Sequence, residues 1–244
     1  IINFRGINNL VFKDKFELEA NYTPLGATVL AVKNGAALKK GDHIVINTPI
    51  TKNWIDLLSM NDFGGESGWI GWKSDDFVIR ADREITAVQG NKITIDAPLT
   101  NALDEELSKS TVVSYIWSGR INNVGVENLS LKSDYDSTNP KDEQHRWYGI
   151  SITNAEDSWV RQVNFEQFAG GAVSILKTAK RITVEDCLAL NPISEIAAFR
   201  RNTFYTEGTQ TLFQRCNSEL GYNDFVVGGY ATAGPNVFLQ CESH

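Results

Sequence analysis

The chain has 244 residues, 42% of them hydrophobic and 10% aromatic, and its formal net charge is −7. Such a composition supplies a buried core, which excludes an intrinsically disordered protein. The acidic balance argues against a nucleic-acid partner, because phosphate contacts need a basic face, and no apolar run reaches the roughly 18 residues of a membrane span.

The chain begins with the pattern of a strand, and residues 1–21 are predicted to form the entry strand and coil of a β-helix. Their segment RGINNLVF resembles the later segment GRINNVGVENLSL. The last three residues follow directly on a repeat. We therefore expect both ends to be cut, with a signal sequence and terminal caps outside this chain and the last coils truncated.

Residues 22–117 lose the periodicity of the rest of the chain and are predicted to form a β-rich insert. A hairpin is expected around Gly90, because glycine supplies the positive φ of a tight turn. The segment NWIDLLSM predicts a short helix capped by Asn53. Trp69 and Trp72 stand in an aromatic and acidic passage, either as a platform on which sugar rings stack or as packing residues.

Residues 118–244 repeat one short phrase, in which a second apolar residue follows the first after three positions. The pairs are Val126 and Leu129, Val160 and Val163, Val184 and Cys187, Phe213 and Cys216, and Phe238 and Cys241. The first members are 34, 24, 29 and 25 residues apart. A second apolar patch follows at similar steps, led by Ile150, Val173, Ala197 and Phe225.

Each repeat is too short to bury its own apolar face, so neighbouring repeats have to stack. Helical repeats are excluded, because the phrases alternate at period 2, are rich in Val, Ile and Phe, and are broken by Gly and Asn. The sequence therefore predicts an all-β protein. Its fold is expected to be a right-handed parallel β-helix with a small β-rich inserted subdomain and coils about 4.8 Å apart.

The longest excursion from the repeats runs from Lys132 to Tyr148, and loops on a rigid scaffold often carry function. Asp134 and Asp136 resemble the start of a calcium loop, but the required Gly and closing Glu are missing. Calcium is thus an alternative to a solvated acidic loop, and no other metal or cofactor is expected. His145 is a candidate proton-transfer group, with an ordinary surface histidine as the alternative.

Two carboxylates are predicted to lie on neighbouring coils. Counting back two positions from each second apolar patch gives one row of residues, namely Tyr148, Gly171, Glu195 and Asn223. Since Asp224 follows Asn223, Glu195 and Asp224 are expected about 5 Å apart, the distance between paired strands. That separation suits a retaining glycosidase. The alternative is that both carboxylates accept hydrogen bonds from backbone amides in turns.

A cleft is predicted beside this pair. Gly170 and Gly171 have no side chains, so the surface is expected to dip between Trp147 and Tyr148 on one side and Glu195 on the other.

Two adjacent arginines, Arg200 and Arg201, are candidates for binding a uronate carboxylate or a sulfate, with an ion pair to Glu195 as the alternative. Tyr222 and Asn223, next to Asp224, complete the predicted substrate-binding set.

Three cysteines occupy one position on successive repeats, namely Cys187, Cys216 and Cys241. We expect them to be reduced core residues, because cysteine packs as a small hydrophobic residue. A disulfide or a metal site is the alternative, although zinc ligands normally stand in closely spaced pairs.

Four segments, SGRINNVGVENLSL, DEQHRWYGISITNAEDSWVRQVNF, ALNPISEIAAFRRNTFYTEGTQTLFQRC and NDFVVGGYATAGPNVFLQCESH, together resemble the pectate-lyase-like β-helix proteins of polysaccharide-degrading bacteria. The resemblance covers most of the chain. It implies a secreted or cell-envelope protein, in the periplasm or at the cell surface, that acts on complex carbohydrate. Lyases, hydrolases, epimerases and adhesive tailspike-like proteins share this fold, so the fold does not choose the activity.

The leading hypothesis is an enzyme that cleaves an acidic polysaccharide. A hydrolase would use Glu195 and Asp224, whereas a lyase would use His145 or an arginine to remove a proton. The alternative is a non-catalytic glycan-binding or adhesion β-helix. Its stacking platform would consist of Trp69, Trp72, Trp147 and Tyr148.

Overall fold

The computed structural model describes residues 2–62, 71–74, 77–229 and 234–244, which form two compact units. One unit comprises residues 1–9 and 118–244, and the other comprises residues 10–117. The protein is all-β, as predicted, with 50% of the described residues in strands and 4% in helices. No helix among the described residues has the length and apolar character needed to cross a membrane.

In its described part, the first unit contains two sheets whose strands pair only in parallel. The five-stranded sheet has the order β1 (Ile2–Arg5), β12 (Tyr148–Thr153), β14 (Gly171–Ile175), β17 (Asn202–Thr206) and β20 (Asn223–Val227). The nine-stranded sheet contains β10 (Ile121–Asn122), β11 (Gly125–Lys132), β13 (Ala155–Glu166), β15 (Lys180–Glu185), β16 (Leu188–Leu190), β18 (Thr211–Gln214), β19 (Asn217–Ser218), β21 (Asn236–Leu239) and β22 (Glu242–Ser243).

Successive repeats pair in the register that the sequence predicts. Val160 pairs with Val126 on one side and with Val184 on the other, and Phe213 pairs with Val184 and Phe238. Most of these side chains are fully buried. Each repeat therefore lays one residue on its counterpart in the next, an arrangement consistent with the predicted parallel β-helix.

A left-handed residue explains why two core residues lie three positions apart. Strand side chains alternate between faces, so residues at i and i+3 point to opposite sides unless the backbone turns between them. In every repeat the residue just before the second apolar one has positive φ: Asn128 (55°), Gln162 (51°), Asp186 (54°), Arg215 (50°) and Gln240 (52°). Each forms a bend that turns the chain back onto the core.

The second apolar row contains one residue that the sequence misplaced. Ile150 pairs with Val173 as predicted, but Val173 pairs with Phe204 and Phe204 with Phe225. Ala197 is wrong for this row, because it lies exposed in the irregular segment 191–201. That segment lengthens the repeat by 204−197=7 residues, which a constant step of 24 ignores.

Aromatic rings join the two sheets inside this unit. Phe204 of the five-stranded sheet meets Phe213 of the nine-stranded sheet at 6.1 Å between ring centroids, and it stacks on Phe225 at 5.4 Å. Phe213 also stacks on Phe238 at 5.0 Å. These contacts make Phe213 a shared support of both sheets.

The three cysteines of the repeats are free thiols, as predicted. Cys187 and Cys216 are buried, and Cys241 is half-buried. A hydrogen bond with Cys187, together with burial, raises the pKa of the Cys216 thiol. The central thiol therefore stays protonated and packs as an apolar side chain.

The second unit is built on an antiparallel sheet. Its strands follow the order β2 (Val11–Glu17), β9 (Thr111–Ile116), β5 (His43–Pro49), β6 (Val78–Gln89), β7 (Lys92–Ile95) and β4 (Val29–Ala31). A separate short pair joins β3 (Tyr22–Thr23) and β8 (Leu103–Asp104), and the helices are a 3₁₀ turn (Gly35–Ala37) and α1 (Lys52–Leu57).

Two details of this unit differ from the sequence-based expectation. The cap of α1 is Thr51, whose hydroxyl accepts the backbone N–H of Trp54 at 3.2 Å, so Asn53 lies inside the helix. Residues 10–21 belong to this unit rather than to an entry coil, because β2 pairs with β9. The hairpin at Gly90, with φ of 60°, is confirmed by the pairing of β6 with β7.

Candidate functional site

The register that was predicted to place Glu195 beside Asp224 is wrong. Asn202 pairs with Asn223 at the position assigned to Glu195. Glu195 lies instead in the irregular segment 191–201, where its exposed carboxylate forms an ion pair with Lys141 at 3.0 Å. The two carboxylates are thus held by different partners in different parts of the repeat.

Asp224 serves as a hydrogen-bond acceptor between strands. Its Oδ1 accepts from the hydroxyl of Ser218 at 2.5 Å and from that of Thr203 at 3.3 Å, and its Oδ2 accepts from Ser243. Ser218 is fully buried. Both oxygens are bonded to side-chain hydroxyls of neighbouring strands, not to backbone amides of a turn, so Asp224 matches neither the predicted catalytic pair nor its alternative and serves to link strands.

His145 fastens the loop between β11 and β12. Its Nδ1 lies 2.8 Å from the hydroxyl of the buried Ser133, and its Nε2 lies 3.1 and 2.9 Å from the carbonyl oxygens of Asp142 and Ile193. The two carbonyl oxygens accept from Nε2–H, and Nδ1 shares a hydrogen bond with the hydroxyl of Ser133. Both ring nitrogens are therefore used in structural hydrogen bonds.

Arg200 forms an ion pair with Glu143, which lies in the loop between β11 and β12, and not with Glu195. Its guanidinium contacts both carboxylate oxygens of Glu143, with 3.1 Å between Nη2 and Oε2, and lies 4.8 Å from the ring centroid of Phe199. The hydrogen bond from Arg200 lowers the pKa of Glu143. The pair links the loop after β11 to the segment before β17.

Arg201 donates to backbone oxygens. Its Nη2 lies 2.7 Å from the carbonyl oxygen of Ser194 and its Nη1 lies 3.5 Å from that of Leu220. Burial lowers the pKa of Arg201. Its role in this structure is to hold the segment 191–201 against the next repeat.

The depression predicted above Gly170 is filled. A Cβ at Gly170 would collide with the indole of Trp147, so this ring lies directly on the glycine backbone. Trp147 also meets Tyr148 edge to face at 6.5 Å and Phe199 at 5.9 Å. Trp147 is therefore a packing residue of the loop, and the predicted cleft between it and Glu195 is wrong.

The remaining predicted residues lie at the start of the last strand of the five-stranded sheet. The side-chain amide of Asn223 donates to the side-chain oxygen of Asn202 at 2.9 Å. These two residues also pair in register, so a side-chain hydrogen bond adds to the pairing of their strands. Tyr222 is 50% exposed. These two residues stand next to Asp224, as the sequence requires.

The predicted residues fall into one loop cluster and one strand end. His145, Trp147, Glu195, Arg200 and Arg201 come together where the loop 133–147 meets the segment 191–201. Their polar atoms are largely paired with one another and with the backbone. This cluster stabilises two loops and leaves little hydrogen-bonding capacity for a ligand.

The acidic loop also uses its carboxylates internally. Asp136 accepts from the backbone N–H and the hydroxyl of Thr138, and Asp142 accepts from the backbone N–H groups of Asp136 and Gln144. These bonds lower the pKa of both carboxyls. Within the described ranges, no group of three or more His, Cys, Asp or Glu residues is placed to hold a metal ion.

In the second unit, Trp72 stacks on Trp54 with 5.7 Å between ring centroids and an angle of 7° between the rings. One face of Trp72 is therefore covered by another indole. Trp69, the other predicted platform residue of the insert, lies outside the described residues.

An open groove that the sequence did not predict, about 470 Å³ in volume, lies beside the five-stranded sheet; we call it the polar groove. Hydroxyl, amide and charged side chains dominate its lining. The residues are Asn3, Arg5, Asn8, Ser151, Thr153, Asn154, Leu176, Lys177, Thr178 and Glu207. Register places Asn3 beside Ser151 and Arg5 beside Thr153, because β1 pairs with β12.

The charges in the polar groove are unevenly paired. Arg5 and Lys177 are exposed, and neither forms an ion pair with a residue in the described part of the chain. Glu207 accepts the hydroxyl proton of Tyr205, with 2.5 Å between the oxygens. Burial and this contact raise the pKa of Tyr205, so its hydroxyl stays protonated. The groove thus presents two cations and one hydrogen-bonded carboxylate.

A pattern in the sequence points to this groove. Apolar and polar residues alternate along β1 and β12, in INFR and ISIT. Because every second strand residue faces the same side, Asn3, Arg5 and Ser151 are readable as one polar face once β1 is paired with β12. The prediction of an entry strand and coil over residues 1–21 does not identify β12 as the partner of β1, and only that pairing brings these residues together.

No family model matches the chain, and no curated protein sequence matches it. Among solved structures, it is similar to the tailspike protein gp49 from Pseudomonas phage LKA1, with 12% identity, a TM-score of 0.45, and coverage of 98% of this chain and 42% of that one. The Gp54 tailspike of Acinetobacter baumannii bacteriophage AP22, in complex with A. baumannii capsular saccharide, gives 10% identity, a TM-score of 0.41, and coverage of 97% and 46%. The tailspike gp61 of Pseudomonas phage phi297 gives 12%, 0.39, and coverage of 96% and 47%. The chain spans less than half of the length of each of these three structures.

Proposed function

We propose that this protein binds an acidic polysaccharide in the polar groove. The observation that carries the proposal is the pair of exposed cations, Arg5 and Lys177, which lack a carboxylate partner among the described residues. A guanidinium binds a carboxylate through two parallel hydrogen bonds, and an ammonium attracts it as a point charge. Uronate carboxylates or sulfates along a glycan would satisfy both cations.

The other lining residues suit the uncharged part of such a ligand. Asn3 and Asn8 are exposed amides, which both donate and accept hydrogen bonds, and Ser151 adds a hydroxyl. Sugar hydroxyls need donors and acceptors in equal measure. Strand pairing places Asn3 and Ser151 side by side, about 4.8 Å apart, so one sugar ring can reach both.

Binding accounts for this groove better than cleavage does. Glycosidases use two carboxyl groups about 5 to 10 Å apart, whereas Glu207 is the one carboxylate that lines the described groove. The raised pKa of Tyr205 makes it a hydrogen-bond donor rather than a base near neutral pH.

A right-handed winding of the coils and an extracellular or cell-envelope location are further parts of the proposal.

The proposal is tested by titrating the protein with polygalacturonate and alginate, which are acidic, and with dextran, which is neutral. The double variant Arg5→Gln/Lys177→Gln is expected to bind the acidic polymers about tenfold more weakly, since two exposed charge contacts contribute about 0.2–1 kcal/mol each. The matched control is Lys132→Gln/Lys141→Gln, which removes the same charge from two exposed cations that have carboxylate partners.

If both double variants bind the acidic polymers equally weakly, only the net charge of the protein matters, and the polar groove is not the binding site. Reducing ends and ultraviolet absorption are recorded in the same mixtures. Release of shortened or unsaturated products would show that the protein cleaves the polymer and does not only bind it.

A further inference from the structure

A second groove lies along the nine-stranded sheet of the same unit, with a volume of about 390 Å³; we call it the tryptophan groove. It is lined by Asp157, Ser158, Trp159, Arg161, Arg181, Thr183 and Gln210. These residues come mainly from β13 and β15, where Trp159 pairs with Thr183 in register. None of them belongs to the polar groove or to the loop cluster.

Trp159 is half-buried, packs on the preceding repeat and is one of the residues that line the groove. A Cβ at Gly125 would collide with the indole, so the ring lies on the glycine backbone of the preceding repeat. Its Nε1–H donates to the carboxylate of Glu127 at 2.6 Å. The polar atom of the indole is therefore satisfied, and what the ring offers to the groove is apolar surface.

The charged side chains of the tryptophan groove are paired with one another. Arg161 forms ion pairs with Glu127, at 3.2 Å, and with Glu185. Arg181 contacts both carboxylate oxygens of Asp157, at 2.5 and 2.7 Å. Each cation already has an anionic partner, so this groove holds no excess charge that would select an anionic ligand.

The ion pair between Asp157 and Arg181 joins two neighbouring repeats. Both residues have positive φ, 48° and 51°, so each stands at a bend of its repeat and the two bends stack. A carboxylate and a guanidinium held in this way present planar arrays of acceptors and donors. The hydroxyl of Thr183 lies on the next strand beside Trp159.

We propose that the tryptophan groove binds a neutral pyranose sugar. The apolar face of a pyranose ring covers the indole of Trp159, and aromatic contacts of this kind contribute beyond the area that they bury. The ring hydroxyls then meet the carboxylate of Asp157, the guanidinium of Arg181 and the hydroxyl of Thr183. The site is independent of the polar groove, because the two are lined by different residues and select different ligand charges.

The test uses cellohexaose, maltohexaose and mannohexaose as probes, followed by saturation-transfer NMR and by tryptophan fluorescence. At least one probe is expected to bind, and Trp159→Ala is expected to weaken that binding about fivefold, as befits the loss of one aromatic contact. Trp159→Phe keeps a ring over Gly125 and is expected to retain most of the affinity. Trp147→Ala is the matched control, because it also removes an indole that lies on a glycine.

A second variant separates ring position from ring chemistry. Gly125→Ala forces the indole of Trp159 away from its seat and leaves every groove side chain in the sequence, so it is expected to weaken binding as well. Thermal melting accompanies each titration to show that the variants fold.

The proposal is overturned if none of the three probes binds, if Trp159→Ala binds as the parent does, or if Trp147→Ala weakens binding equally. It is also overturned if Arg5→Gln/Lys177→Gln abolishes binding of the neutral probe, which would place that ligand in the polar groove. Failure of the acidic polymers to bind, with a neutral probe still bound at Trp159, would contradict only the function proposed for the polar groove.

Discussion

The two grooves of the unit formed by residues 1–9 and 118–244 differ in how their cations are paired. In the polar groove, Arg5 and Lys177 have no carboxylate partner among the described residues. In the tryptophan groove, Arg161 and Arg181 each have one or more. Both grooves contain two cations, so the number of positive side chains does not distinguish them. The pairing does, and it determines whether an anionic ligand gains anything by binding.

Stacking of repeats produces this difference. In parallel sheets, each residue lies about 4.8 Å from its counterpart in the next repeat. On the nine-stranded sheet, one such row reads Glu127, Arg161, Glu185, so opposite charges neutralise each other. On the five-stranded sheet, Asn3 is followed in its row by Ser151, and Arg5 by Thr153, so the arginine meets no acid.

The largest effect is expected from a substitution that removes the support common to both grooves. Phe213→Ala leaves a cavity between the two sheets and is expected to lower the free energy of unfolding by about 3–5 kcal/mol. Chemical denaturation measures this loss, and binding at both grooves should fall together. Val237→Ala, at a 47% exposed position on the same sheet, is the control with little effect. If only one groove loses its ligand, the sheets do not share this support.

The second-largest effect is expected from salt, which should weaken binding at the polar groove but not at the tryptophan groove. Raising the ionic strength from about 0.05 to 0.5 M shortens the screening length to a few ångströms. Binding of alginate at the polar groove should then weaken about fivefold, whereas binding of a neutral hexasaccharide at the tryptophan groove should stay unchanged. Titrations at the two salt concentrations measure both. A salt-sensitive neutral ligand would contradict the charge balance assigned to the tryptophan groove.

The smallest expected effect concerns acid and the pair of Asp157 and Arg181. The hydrogen bond from Arg181 lowers the pKa of Asp157 below its ordinary value of 3.8. The stabilisation is therefore present above about pH 4 and is lost as the pH falls through the lowered pKa. Because the pair is partly exposed, Asp157→Asn should cost only about 0.5 kcal/mol at pH 7.

Denaturation of the parent and of Asp157→Asn at pH 7 and at pH 2.5 checks this sign. The difference between the two proteins should shrink at the lower pH. A difference that grows on acidification would contradict the lowered pKa. Asp14→Asn, which removes an exposed carboxylate of the other unit that has no ion pair among the described residues, is the control.

The repeat phrases were readable from the sequence because burial acts on every repeat in the same way. Val160, Val184 and Phe213 form the predicted row, since a core position tolerates only apolar residues of similar size. Glu195 was misplaced because the irregular segment before Phe204 has no apolar period that would reveal its length. Counting along the chain is reliable only inside strands.

The functional surfaces were harder to predict for a related reason. His145 and Arg200 were identified as chemically capable, and the structure brings them into one cluster, but their partners are backbone carbonyls and Glu143. Which polar atoms are already satisfied depends on three-dimensional contacts. The role of Trp159 is not visible in the sequence, because its contact with Gly125 forms only when one repeat stacks on the next.

The left-handed bends determine where this protein can gain or lose residues. A residue inserted between two bends would move every following side chain to the opposite face and expose the core. The loop after Lys132 and the segment after Asn191, itself left-handed with φ of 51°, lie outside that constraint and account for the longest repeats. New surface loops, including binding loops, can therefore be grafted at these two places without changing the register between the repeats.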